Sequence, residues 1–281
     1  MLKDKGSLDI TRFKEVVFEG ESLQIDQTIV DRVTQSFEFL KEFSENKIIY
    51  GVNTGFGPMA QYKIQDSERI QLQYNLIRSH ASGTGKPIPP RCVKAAMLAR
   101  LNTLCLGNSG VHFSVIELMT ELINRDITPL IFEHGGVGAS GDLVQLAHLA
   151  LVLIGEGEVY YKGELRPTEE VFKIEKLEPI KVELREGLAL MNGTSVMTGV
   201  GLVNTINTRR LLDWTVVASS AINEIVQAYD DHLSSELNDA KKHIGQQEIA
   251  RTMRAHLKDS SLTRKREQHL YKENNGVTVF E

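Results

Sequence analysis

The sequence predicts a mainly α fold with a small mixed α/β portion and long bundle helices behind it. Three observations carry this. Apolar residues recur at helical spacing along residues 67–80 and 91–106. Residues 143–154 are apolar on almost every side, the mark of a helix at the centre of a large protein. From Gly193 to about Tyr229 the pattern stays helical for longer than a globular helix normally runs, which points to a bundle.

The elements follow in order. Residues 1–50 end in the basic-then-apolar stretch Lys47-Ile48-Ile49-Tyr50, and the Gly-rich loop Gly51 to Pro58 follows. Ile70, Tyr74 and Ile77 stand at i, i+4, i+7, with Asp66 as a candidate cap and Ala81 to Gly85 as the stop. The next helix carries Val93, Ala96, Met97, Leu101, Leu104 and Cys105, and Gly107 ends it. Ser114 and Glu117 have the spacing of a capping box, opening a helix toward Ile123. Residues 127–132 read as extended, because Pro129 restricts Thr128. A flexible loop, His134 to Gly138, precedes Asp142, which is read as the cap of the apolar helix Leu143 to Ile154. Val159 to Arg166 reads as a hairpin about Lys162-Gly163. The long stretch after Gly193 invites a break at Gly199 or Gly201. The last ~50 residues are highly charged and read as a solvated helix followed by a loose tail.

Composition bounds the function. The chain has 281 residues, 41% hydrophobic and 25% charged, as in an ordinary globular protein. A formal net charge of -5 without clustered Lys and Arg argues against a nucleic-acid partner. The most apolar run, Leu143 to Ile154, falls short of the ~20 residues a bilayer needs, and the N-terminus has no signal-peptide core. Cys92 and Cys105 lack metal-ligand spacing and read as reduced, buried thiols of a cytoplasmic protein. No metal is expected, because His112, His134, His232, His243, His256 and His269 make no ligand motif. His148, inside the apolar helix, reads as a satisfied core histidine. The GVNTGFG run lacks the Gly-Lys-Ser/Thr ending of a P-loop and reads as a mobile lid with glycine hinges.

One tripeptide carries chemistry. Ala139-Ser140-Gly141 closes a glycine-rich loop directly before the buried helix. Small flanking residues permit tight backbone bends. If the amide nitrogen of Gly141 attacks the carbonyl carbon of Ala139, a five-membered ring closes. Loss of two waters, one taking the Ser140 hydroxyl, leaves an exocyclic methylidene, an electrophile made from the chain itself. The helix N-terminus would stabilise negative charge developing on the ring oxygen. Alone, such a tripeptide marks a turn.

The wider setting resembles the histidine/aromatic amino acid ammonia-lyase family, most closely its bacterial tyrosine ammonia-lyase-like members. The matching segments are Tyr50-GVNTGFGPMA-Gln61, Asn75-LIRSHASGT-Gly85, Gly135-GVGASGDLVQLAHLALVLIGEGE-Val159 and Glu186-GLALMNGTSVMT-Gly199, in family order. The resemblance implies the N-terminal region of the fumarase/aspartase-like superfamily. It implies that Ala139, Ser140 and Gly141 become a 4-methylidene-imidazol-5-one. Tyr50 matches the lid tyrosine that removes the substrate β-proton, a task a phenol performs only where its surroundings favour the phenolate. Its alternative reading is a strand-end tyrosine packing its ring. Asn192 matches the asparagine held close to the ring, although Asn-Gly also marks a turn and Leu188-Ala189-Leu190 looks strand-like. Gly57 and Leu143 match substrate-proximal positions, and Leu143 reads equally as core. Ser79 and His80 match the two residues facing the substrate ring. The Ser-His pair resembles the histidine-acting branch. Leu143-Val144-Gln145 and the neighbouring segments resemble a subgroup with tyrosine-acting members, so tyrosine is expected first and histidine second.

The resemblance also sets the expected organisation. Residues 1–195 would form an N-terminal domain with lid and ring site, and residues 196–281 the start of a central helical bundle, truncated relative to the family. Family chains are far longer and continue into a QDPYSLR-like segment whose Arg binds the substrate carboxylate. Their sites are assembled in a homotetramer. The expected reaction is elimination of ammonia from an aromatic L-amino acid, giving p-coumarate from tyrosine or urocanate from histidine. A 2,3-aminomutase is the close variant. A non-catalytic or split fragment that needs a C-terminal partner half is the alternative of another class.

Overall fold

The computed structural model describes residues 8–45, 47–265, 272–274 and 277–279. The chain divides into two compact units, one running to Val203 and the other from Asn204.

The first unit opens with α1 (Ile10–Phe18) and α2 (Gln27–Ser44). Asp9 accepts from the Arg12 amide and Asp26 from the Thr28 amide, so each helix starts on an aspartate cap. After the lid loop comes α3 (Arg69–His80), preceded by a 3-10 turn at Asp66–Glu68. Its N-cap position is Glu68, which makes no side-chain cap bond, so Asp66 sits two residues too early for the role expected of it. β1 (Thr84–Pro87) leads to α4 (Pro90–Leu104), which starts on a proline and ends where Gly107, at φ +73°, returns its N–H to Leu104 O at 3.0 Å.

α5 (Phe113–Asn124) is capped by His112, whose Nδ1 accepts from the Ser114 amide at 3.2 Å. The Ser114/Glu117 spacing therefore sits inside the first turn, not at its cap. β2 (Thr128–Pro129) and β3 (Phe132–His134) follow. α6 (Leu143–Leu153) buries Leu146, Ala147, Leu149, Ala150, Val152 and Leu153, as its all-round apolar character requires. β4 (Glu158–Tyr161) and β5 (Glu164–Pro167) form the expected hairpin, with Lys162 and Gly163 both at positive φ, a type I′ turn. β2, β4 and β5 form one antiparallel sheet, and β1 pairs with β3 through Thr84–His134 and Pro87–Phe132.

α7 (Thr168–Glu175) precedes α8 (Glu186–Met191). The run Leu188-Ala189-Leu190 is thus helical, not strand-like. Three apolar residues cannot separate the two periods, and the start of this helix is set elsewhere, by the buried Glu186 carboxylate. That carboxylate accepts the His112 amide at 2.7 Å and the Glu183 amide at 2.8 Å.

α9 (Ser195–Ile225) runs 31 residues without a break at Gly199 or Gly201. Gly199 costs the helix ~1 kcal/mol against alanine, yet it lies on the α4 backbone, where a Cβ would overlap Ala96 N. Close approach of two helices explains this glycine.

The second unit packs Val216 with Leu233, Met253 and Leu257 from the segment holding α10 (Ser235–Asp239) and α11 (Ile244–Leu257). β6 (Lys272–Asn274) pairs antiparallel with β7 (Val277–Val279). Otherwise the expected tail, with His269, falls outside the described residues. Cys105 is buried and Cys92 only half-buried, and both are free. Burial pushes the Cys105 thiol up to about 12. No helix among the described residues is long and apolar enough to cross a membrane.

Candidate active site

The lid loop is organised by one buried asparagine. Asn53 Oδ1 accepts the Ile49 amide at 2.8 Å and its Nδ2 donates to Lys47 O at 2.6 Å. Thr54 Oγ1 accepts from Gly51 N and donates to Gly55 O. Gly55 N then donates to Tyr62 O, and Ile64 N to Asn53 O, both at 3.0 Å. These bonds hold Tyr50 half out of the surface, 50% exposed, with its ring edge-on to Phe56. The Gly57 amide donates to Tyr50 Oη at 3.2 Å, so Tyr50 and Gly57 meet.

Gln73, on α3 and 1% exposed, ties this loop inward. Its Nε2 donates to Gly51 O at 3.1 Å, and its Oε1 accepts the Leu188 amide of α8 at 3.4 Å.

The Ala139-Ser140-Gly141 segment is built differently. Residues 133–140 are exposed. Gly141 has φ +84° and pairs with Gly193 in a parallel bridge, and a Cβ on it would overlap Gly193 O. Asp142 N donates to Gly193 O at 2.7 Å. Asp142 does not cap α6 with its side chain. Its Oδ2 accepts the Val196 and Met197 amides at 2.9 Å each, so it caps α9. The tripeptide is thereby joined to the turn holding Asn192, and only glycine fits at its third position. These residues fit the ring expected from them: the residue whose amide must attack carries no Cβ, and Ala139 and Ser140 are unobstructed by burial.

A cavity of about 610 Å³ in this unit is lined by Tyr50, Arg100, Asn108, Arg185, Asn192 and Ser195, among others. It gathers Tyr50 and Asn192. Gly57, Ser79, His80, Ala139, Ser140, Gly141 and Leu143 are not among its lining residues. Ser79 and His80 stand at the end of α3. His80 Nδ1 lies 3.0 Å from Leu76 O and 3.0 Å from Ser79 Oγ. The carbonyl can only accept, which places a ring proton on Nδ1. His148 is satisfied as expected: it accepts the Gly83 amide at 3.0 Å, packs edge-on to Phe132, and burial holds its pKa down.

Three residues at this site escaped the sequence reading. Gln73 and Glu186 make their bonds to backbone groups, which leave no trace in composition. Arg100 did leave a trace, a charge standing three residues after Met97 and four after Ala96 on the buried stripe of α4. It is 3% exposed, and burial draws its pKa down to about 10.

The model of the family described as "Aromatic amino acid lyase" matches residues 8–275. The histidine ammonia-lyase of Halalkalibacterium halodurans is 38% identical over 263 residues, 93% of this chain and 52% of that protein. The crystal structure of tyrosine aminomutase from Streptomyces globisporus superposes with a TM-score of 0.87 at 34% identity, over 92% of this chain and 49% of the other. That of histidine ammonia-lyase from Trypanosoma cruzi gives 0.81 at 30% identity, over 88% and 49%. The chain spans about half the length of the curated relatives it matches. With a family model covering nearly the whole chain and glycine-bounded loops joined at one turn, this chain belongs to the aromatic amino acid lyase family.

Proposed function

We propose that this chain supplies the electrophile and the proton acceptor of a carbon–nitrogen lyase that eliminates ammonia from an aromatic L-amino acid. L-Tyrosine, giving p-coumarate, is the first substrate and L-histidine, giving urocanate, the second. The observation that carries the reading is the contact of Gly141 with Gly193, where the tripeptide meets the Asn192 turn at a position only glycine can occupy.

Ala139, Ser140 and Gly141 hold the methylidene-imidazolone as part of the backbone. Once formed, it supplies an electrophile that withdraws electron density from the substrate. Tyr50, on the cavity and held by the Gly57 amide, takes the β-proton. Asn192 lines the same cavity and offers an amide to orient the reacting groups. His80 is assigned to the substrate ring, where an imidazole side chain can meet the hydroxyl of a phenol or the N–H of an imidazole, so it fits both substrates. Ser79 beside it, with Leu143 and Gly57, completes the contacts assigned to the substrate.

The similarity to a tyrosine aminomutase favours a second reading, in which the amine returns to the β-carbon. The chain acts with further copies of itself or with a C-terminal half. Trp214 is 72% exposed on α9, and Leu211, Ile222 and Ile225 are exposed on the same helix.

Peptide mapping of the purified chain across residues 135–145 tests the electrophile. A deficit of two waters at Ala139-Ser140-Gly141, absent in Ser140→Ala, is expected. An unmodified mass overturns it for this chain. Incubation with tyrosine and histidine, with and without the C-terminal half, separates unsaturated acid from β-amino acid.

A further inference from the structure

Arg100 occupies a place where an arginine is costly. It stands on the buried stripe of α4 among Met97, Leu101 and Leu104. A buried guanidinium needs partners for its charge and for five N–H donors. Its Nη2 donates to Ala189 O and, at 3.1 Å, to Asn192 O. Among the described residues no carboxylate pairs with it, and its Nε has no partner. The cation is therefore balanced by the last carbonyls of α8, where orphan acceptors and the negative end of the peptide dipoles gather. Its Nη1 lies so close to Gly193 that a Cβ there would overlap it. The Gly193 carbonyl in turn holds the Asp142 amide, and Gly193 bridges Gly141.

We infer that Arg100 is a positioning residue whose guanidinium locks the turn between α8 and α9, and through that turn holds Asn192 and Gly141 in register with each other. The inference rests on the roles proposed above for Asn192 and the tripeptide. Arginine suits the task because the two N–H groups of Nη2 hold two carbonyls while Nη1, fixed in the same plane, bears on Gly193. An ammonium offers no such fixed fork. Nε–H has no protein partner, so the bonds that the head group makes to the protein are all at its far end.

Hydrogen–deuterium exchange on the full chain, read with the peptide mass of residues 139–141, tests this. Arg100→Met removes the lock, Arg100→Lys keeps only the charge, and Gly193→Ala keeps Arg100 but pushes its head group away. Exchange over residues 189–194 and 141–143 should rise about tenfold in Arg100→Met and Gly193→Ala, as expected for lost charge-assisted bonds, and less in Arg100→Lys. α5, which also packs on α4, should stay at the wild-type level. Unchanged exchange at the turn overturns the inference. So does an equal rise through α5, which would make Arg100 a general scaffold residue. The mass readout is separate. A wild-type chain that keeps its full mass while its variants loosen the turn as expected refutes the ring and leaves the lock standing.

Discussion

The two glycine-rich loops are held in opposite ways. The lid loop, residues 47–64, carries its own fastenings: Asn53 and Thr54 are buried within it and bond to residues no more than a few positions away. The loop at residues 133–141 is exposed as far as Ser140 and is held at its ends, by β3 on one side and by Gly193 on the other. A loop fastened mainly by its own side chains depends less on its neighbours, here on the single tie from Gln73 to Gly51 O. A loop fastened by distant backbone depends on the elements that carry that backbone, here α8 and the start of α9.

The largest effect is expected at the distant fastening. Gly141→Ala places a Cβ against backbone and imposes a left-handed φ on alanine, so it should cost about 4 kcal/mol and abolish the two-water deficit. Thermal unfolding and peptide mass check both. A variant as stable as wild type with the deficit intact would remove the contrast between the loops.

The shared support of both loops is α8, and its buried Glu186 should make that support sensitive to pH. Burial, outweighing two backbone amides, raises the Glu186 carboxyl from 4.5 to about 7. Between those values the folded chain binds more protons than the unfolded one. Stability from this group therefore falls as pH rises through the window, by ~3 kcal/mol in all, and is flat on either side. His148 acts with the opposite sign, because its lowered pKa costs stability as pH falls below 6.5. Melting curves at pH 5 and pH 8 should show a downward slope in wild type that Glu186→Gln removes. Equal slopes in the two proteins would sink this account.

Asn53→Ala tests the local fastening. It deletes two side-chain bonds from a buried position and should cost about 2 kcal/mol, with exchange rising across residues 47–64 and unchanged at residues 139–142. A rise at both loops would show that they are coupled. The smallest effect belongs to Gly57→Ala, where φ is +53° but nothing lies within 4 Å of the new Cβ. Strain alone should cost about 1 kcal/mol, read as a small drop in melting temperature.

How far each feature could be read from the sequence follows the same division. Lys162-Gly163 announces its hairpin because both residues tolerate positive φ, a property of the residues themselves. α4 begins at a proline and ends before Gly107 for local reasons of the same kind. Ser114 fails as a cap because the helix already starts at Phe113, where His112 accepts the Ser114 amide and places Ser114 inside the first turn. Leu188 to Leu190 misleads because α8 is started by a carboxylate that bonds 74 positions away in the chain.

By itself the sequence determined the helical class, the buried α6, the hairpin and the resemblance that marks Tyr50, Asn192 and Ala139-Ser140-Gly141. Each rests on periodicity, on the backbone freedom of single residues, or on motif order, none of which needs a folded neighbour. Only the tertiary structure decided that Asp142 caps α9, that Gln73 joins lid to α8, and that Arg100 grips the turn before α9. Those are bonds between backbone groups and side chains far apart in the chain. Backbone carbonyls and amides are the same at every residue, so no letter of the sequence says which of them a buried polar side chain will find.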